Sequence, residues 1–172
     1  NDSTKTIITN KFNLYHAFKT TFPDKVHKYM PESWDFKSFI TNKHHIDKLI
    51  SNKQTINHVY IVRPAGAGAF TGQDIYIVDN IPSLKKAITG TQKYKTVLIT
   101  KYITNPLLFE NKKFHLRIYF LVGLIKGHFM TKIFDFYKIL TAKIPYKNGN
   151  WDNTDIHDTH LKSTGRDIIC PF

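Results

Sequence analysis

The sequence predicts an α+β fold, and three patterns predict it. A β-branched and aromatic run at 58–62 is separated from a second run at 75–78 by Ala65-Gly66-Ala67-Gly68-Ala69 and a further glycine at Gly72. That reads as strand, glycine loop, strand. Two longer apolar runs, 114–124 and 128–136, face each other across Lys126-Gly127, a turn composition. Helical periodicities lie ahead of and between these runs rather than after every strand, so the order is not that of a regular parallel sheet.

Taken along the chain, residues 1–10 are polar and read as an irregular lead. Residues 11–30 read as a helix with Phe12, Tyr15 and Phe18 near the helical period, interrupted at Pro23 and restarted at Asp24. Tyr29-Met30-Pro31 leads into an extended segment. A second helix is expected over 38–51, with Phe39, Ile46, Leu49 and Ile50 as its apolar positions. Residues 83–89 form a third, started by Pro82 or Ser83 and followed by Gly90. Thr96-Val97-Leu98-Ile99-Thr100 is a strand, and 148–164 reads as a polar loop. Trp34 and Trp151 read as partly buried anchors. The expected divisions are an N-terminal helical segment 1–57, a glycine-loop hairpin lobe 58–100 and the start of a second lobe 101–172.

Composition bounds the partners. The formal net charge of +12 attracts anions of every kind: nucleotide phosphates, nucleic acid, acidic protein tails or anionic lipid. The lysines are scattered and no run of five basic residues occurs, which predicts a broadly positive surface or cleft rather than a basic arm. Cys170 is the single cysteine, so no intrachain disulfide forms and a reducing, cytoplasmic compartment is expected. No apolar run reaches the roughly 18 residues of a membrane-spanning helix.

Three constellations carry chemistry. In the first, Arg63 ends a strand and Gly66, Gly68 and Gly72 follow, a cation beside small residues whose backbone N–H groups can approach phosphate oxygens. The spacing matches neither the P-loop nor the dinucleotide fingerprint, and a plain hairpin tip remains the competing reading. In the second, a strand runs through Lys101-Tyr102-Ile103 into Thr104-Asn105-Pro106, a linker able to present backbone groups to a base edge or to be an ordinary strand end. In the third, Lys113, His115 and Arg117 alternate along a strand and share one face, with Phe114, Leu116 and Ile118 on the other. Three potential cations on one face of an apolar strand are costly unless they face a cleft or an anion.

Taken in order, Val62-Arg63-Pro64 with its small-residue loop, then Lys101-Tyr102-Ile103-Thr104-Asn105-Pro106-Leu107-Leu108, then Lys113-Phe114-His115-Leu116-Arg117-Ile118-Tyr119, resemble the tubulin tyrosine ligase-like family. The stretch from Leu14-Tyr15 through Phe22-Pro23 to Tyr29-Met30-Pro31 is similar to the helix and linker that precede that family's first ATP-binding strand. The resemblance covers about residues 11–165. It implies an ATP-grasp fold, with antiparallel or mixed sheets and flanking helices around a nucleotide cleft. It implies ATP and Mg2+ as cofactors, activation of a carboxylate as an acylphosphate, and its joining to an amine. An acidic protein tail such as that of tubulin is the implied acceptor.

The resemblance also implies roles residue by residue. Arg63 stands where the family has a lysine on the phosphates, and Gly66, Gly68 and Gly72 fall in the covering loop. Lys101, Tyr102 and Ile103 cradle adenine, and Lys113 and Arg117 grip substrate and transferred phosphate. His160, in His160-Leu161-Lys162-Ser163, echoes the family's His-Leu-Thr-Asn and is the third catalytic candidate. His115 replaces the family's aspartate, and no metal ligands are assigned. Asp152, Asp155, His157, Asp158 and His160 read as a solvated loop rather than a metal centre. Two other functions stay open: a binding module that kept the fold and lost the reaction, and a basic nucleic-acid-binding protein, which the absence of a basic stripe disfavours.

Overall fold

The computed structural model describes residues 10–42, 50–52, 55–65, 74–159 and 167–171. Its elements are helices α1 (Lys11–Thr21) and α2 (Val26–Tyr29), strand β1 (Ser33–Asp35), helix α3 (Phe36–Thr41), and strands β2 (Ile50–Asn52), β3 (Thr55–Pro64) and β4 (Tyr76–Asn80). Helix α4 (Ile81–Thr91), β5 (Val97–Lys101), β6 (Leu108–Phe109), β7 (Lys112–Ile125), β8 (His128–Thr141), helix α5 (Thr154–His157) and β9 (Asp167–Pro171) complete the order. The chain divides into two compact units, 1–104 and 105–172. No helix among the described residues is long and apolar enough to cross a membrane.

The first unit is an antiparallel sheet in the order β1-β5-β3-β2, with β4 also on β3. Its centre is the β3–β5 pair, in register from Tyr60 opposite Lys101 to Pro64 opposite Val97. Alternation gives each strand two faces. Tyr60, Val62, Val97 and Ile99 point into the main core with Phe36 and Phe39 of α3 and Leu84 and Ala87 of α4. The opposite face carries Arg63, Leu98 and Thr100, with α1 packed against β5. Ser33 and Thr100 meet there through buried hydroxyls 2.9 Å apart, and the Ser33 hydroxyl also donates to the Pro31 carbonyl at 3.0 Å.

Helix ends follow local chemistry. Asn10 caps α1 by accepting from the Phe12 and Asn13 amides, and the helix stops before Pro23. Asp35 caps α3 through the Ser38 amide, so this helix begins at Phe36. The helix expected over 38–51 is therefore shorter and earlier. It ends at Thr41 because Asn42 turns extended, the buried apolar pair is Phe36 and Phe39, and Ile50 lies on β2; residues 43–49 lie outside the described residues. Helix α4 has a capping box between Asn80 and Ser83, with Pro82 in its first turn. It runs through Gly90 to Thr91 instead of ending before it. A Cβ on Gly90 would overlap the hydroxyl and ring carbon of Tyr76, so the glycine is a notch that seats β4's tyrosine against the helix.

The second unit is an antiparallel sheet in the order β6-β7-β8-β9. Two-residue turns with both residues at positive φ close its hairpins: Glu110-Asn111 (49° and 61°) and Lys126-Gly127 (50° and 82°), the geometry that matches strand twist. The 148–164 stretch holds one helical turn, α5, anchored by buried Ile156. Strand β9 beside Phe136–Leu140 was not signalled by the sequence. The outer arms of β7 and β8 expose large apolar side chains, Leu124 at 63% and Phe129 at 83% among them.

Two stability outcomes are expected. Asn80→Ala removes the α4 cap and lowers unfolding free energy by about 1 kcal/mol in denaturant titration. Gly90→Ala, which helix propensity alone favours by roughly 1 kcal/mol, instead lowers the melting temperature because overpacking costs about 1–3 kcal/mol. Adding Tyr76→Leu to Gly90→Ala empties the overlap and recovers the propensity gain.

Candidate functional site

Arg63 enters the first unit at the end of β3, opposite Leu98 and on the face away from the main core. Its backbone is fixed by the sheet and by buried Pro64 and Ala65, whose amide donates to Thr96 at 3.1 Å. The Arg63 Nε is buried and meets no hydrogen-bond partner among the described residues. Burial pulls the guanidinium below its usual range. A desolvated cation with an idle donor is costly unless an anion answers it.

A second cation, Lys11, stands close by. Its pKa is lowered first by partial burial and then by the charge of Arg63. The residue is exposed overall, so the ammonium sits at the edge of the covered face rather than inside it. Lys11 is the first residue of α1, where the helix's own amides already present positive charge and no acidic side chain offsets them. The sequence reading missed Lys11. The available signal was a lysine, not an acid, directly after the Asn10 cap.

The linker is built from the ends of β5 and of the 27–32 segment. The Lys101 amide donates to the Glu32 carbonyl at 2.9 Å, and the Tyr102 amide donates to Val59 at 2.8 Å. Those two donors are therefore spent inside the fold and are not available to a base edge. Tyr102 is buried and Ile103 is 57% exposed. Residues 27–32 together with Lys101, Tyr102 and Ile103 line an open cavity of about 620 Å³, within the size range of small-ligand sites. By the register Lys101 shares the face of Tyr60, so its side chain and that of Arg63 leave opposite faces of the sheet. Gly66, Gly68 and Gly72 lie outside the described residues.

In the second unit β7 alternates as expected, and Lys113, His115 and Arg117 share a half-buried face. Arg117 pairs with Lys138 across to β8, adding another cation to that face. The covering comes from the loop after β8. His115 Nδ1 and Thr159 Oγ1 lie 2.6 Å apart, and α5 packs on β7. His157 donates Nε2–H to the Asn150 carbonyl at 2.9 Å, against Trp151 and Tyr146. Burial lowers the His157 pKa; the Asn150 bond opposes this, and the Lys113 charge adds to it. Asp155 pairs with Lys143 at 3.1 Å. On the opposite face Leu116 and Ile118 are exposed, while Ile139, paired with Leu116, is buried. His160 lies outside the described residues, one position beyond Thr159. No group of three or more His, Cys, Asp or Glu side chains suited to a metal gathers among the described residues.

Comparison with known proteins bears on the family and the fold. The human tubulin polyglutamylase TTLL11 is 23% identical over 193 aligned residues, covering 96% of this chain and 26% of that protein. The chain thus spans about a quarter of that relative's length. Among solved structures, the C-terminal domain of K. lactis Pby1, an ATP-grasp enzyme that interacts with the mRNA decapping enzyme Dcp2, aligns with a TM-score of 0.50. That alignment is 20% identical and covers 95% of this chain and 47% of that domain, which establishes an ATP-grasp fold. The profile of the tubulin-tyrosine ligase family matches residues 4–164, nearly the whole sequence, and the chain belongs to that family.

Proposed function

We propose that this chain forms the nucleotide-binding part of an ATP-dependent carboxylate–amine ligase, and that Arg63 and Lys11 together hold the nucleotide phosphates. The observation that carries the reading is the buried Nε of Arg63, without a hydrogen-bond partner among the described residues, with a second, partly desolvated cation beside it. Both cations carry a cost in the free chain that a phosphate oxygen removes. Arginine keeps the charge of the family's lysine and adds a planar fork of donors.

Adenine then belongs at the linker cavity. The Lys101 and Tyr102 amides are engaged, so the base edge meets the Ile103 amide and the linker carbonyls, with Tyr29 and Tyr102 supplying apolar and aromatic lining. Lys113 and Arg117 of the second unit suit an anionic carboxylate or a transferred phosphate, and His160 is the third candidate from the sequence. When bound, ATP supplies the phosphoryl group that activates a carboxylate for attack by an amine. Among the described residues no group of three or more His, Cys, Asp or Glu side chains gathers that could hold magnesium. The acceptor that suits a chain of charge +12 is an acidic protein tail, of which tubulin's is the one that the human relative's name supplies. A nucleotide-binding module without turnover is the second reading, favoured by His115 standing where the family has an acid.

Calorimetric titration tests this. The wild-type chain is expected to bind ATP saturably. Arg63→Ala and Lys11→Ala are each expected to weaken binding by roughly 10- to 100-fold, the worth of a charge-assisted hydrogen bond. Unchanged affinity in Arg63→Ala sinks the assignment. Binding without phosphoryl transfer to any carboxylate selects the second reading.

The pH dependence follows from Lys11. Its free-state pKa lies below the ordinary lysine value, and only the charged form attracts phosphate. Affinity is therefore expected to hold at neutral pH and to fall, as pH rises, earlier than an ordinary lysine would dictate. Lys11→Arg is expected to remove that fall, since arginine stays charged throughout.

A further inference from the structure

We propose that the chain pairs with a second copy of itself through one face of the β7–β8 arm, the two arms packing face to face. The register divides the arm into unlike faces. On one, β7 presents Ile118, Phe120, Val122 and Leu124, and their partners on β8 are Tyr137, Ile133, Thr131 and Phe129. None of these paired positions carries a charge. On the other face Arg117 pairs with Lys138, Leu121 with Lys132 and Ile125 with His128. The register shifts between Ile118 and Phe120, and Asp135 falls in that irregularity of β8, outside the paired positions.

The uncharged face is open to solvent. Ile118, Phe120, Val122, Leu124, Phe129 and Ile133 are between 47% and 83% exposed. At roughly 150–200 Å² for each side chain when fully open, they leave about 600 Å² of apolar surface in one stripe, the upper limit for an ordinary monomer. Two such stripes pressed together remove about 1,200 Å² from water, the lower end of specific protein interfaces. The arm also needs support. Strand β6 reaches only Lys112 and Lys113, and β9 only Phe136 to Leu140, so beyond them the described arm is two-stranded. A two-stranded ribbon is marginal in water until its apolar face is covered. A second copy covers it by a two-fold pairing of like with like. The cations fit this arrangement, because Arg117, Lys132 and Lys138 point away from the contact. Sheets pack about 10 Å apart, so these charges stand further from their images than the Debye length of roughly 8 Å. The net charge of +12 therefore does not oppose the contact locally. An anionic lipid surface would instead require cations and apolar side chains on one side, and the register puts them on opposite sides.

Sedimentation equilibrium of the purified chain over a wide concentration range reads the association. A monomer–dimer equilibrium is expected, with a dissociation constant in the micromolar range that suits a contact of this size. Phe120→Asp and Leu124→Asp each place a carboxylate in the contact and are expected to weaken the dimer about tenfold or more. Leu121→Asp is the control: its side chain is 53% exposed but on the other face, and the dissociation constant is expected to stay at the wild-type value. All three sites are exposed, so thermal melts of the dilute chains are expected to match the wild type. A wild-type chain that stays monomeric at every concentration overturns the proposal, as does growth past the dimer. Equal weakening by Leu121→Asp and Phe120→Asp overturns the choice of face. Monomeric chain that pellets with phosphatidylserine vesicles, and no longer does so as Phe120→Asp, overturns the second copy in favour of lipid.

Discussion

Between Tyr60 and Pro64, β3 runs antiparallel against Lys101–Val97 of β5, and that one register assigns nearly every role in the first unit. Because side chains alternate, it sends Tyr60, Val62, Val97 and Ile99 into the main core and Arg63, Leu98 and Thr100 to the face under α1. A slip of one residue would bury Arg63 among Phe36, Val78 and Leu84 and expel the valines. The apolar core is therefore what enforces the position of the charge. A guanidinium can be held desolvated with an idle Nε only because the valines and isoleucine beside it leave the strand no other register.

Much of this was legible in the sequence, and the reasons differ by element. The strand–loop–strand at 58–78 and the hairpin around Lys126-Gly127 were readable because β-branched runs and turn residues are local signals. The ATP-grasp fold and the family came from three motifs in order, not from periodicity. The helix expected over 38–51 begins earlier, at Phe36, because the Asp35 side chain caps the Ser38 amide, a contact that the apolar spacing of the stretch does not signal. Gly90 was read as a stop since helix propensity knows nothing of the Tyr76 ring against it. Strand β9 was hidden in a polar-flanked tail whose pairing is with β8, far away in sequence.

The site shows the same division. Arg63 and the 101–103 linker could be named from motifs, but the engagement of the Lys101 and Tyr102 amides could not, because their acceptors, Glu32 and Val59, are distant in the chain. Lys11 was invisible for the same reason: its significance is its closeness to Arg63. The alternation of Lys113, His115 and Arg117 was legible, while the contact of His115 with Thr159 was not, because the two residues lie 44 positions apart.

The paired hydroxyls of Ser33 and Thr100 carry a consequence of another kind. Ser33 gives its hydrogen to the Pro31 carbonyl, so it has only lone pairs left for Thr100, and Thr100 must be the donor between them. The two side chains form a chain of protons with a fixed direction, ending on the backbone beside the linker cavity. Changing either one alone to an aliphatic residue strands a buried oxygen or hydrogen, while changing both together need not. The two positions, 67 residues apart, are thus coupled energetically: the cost of changing one depends on what stands at the other.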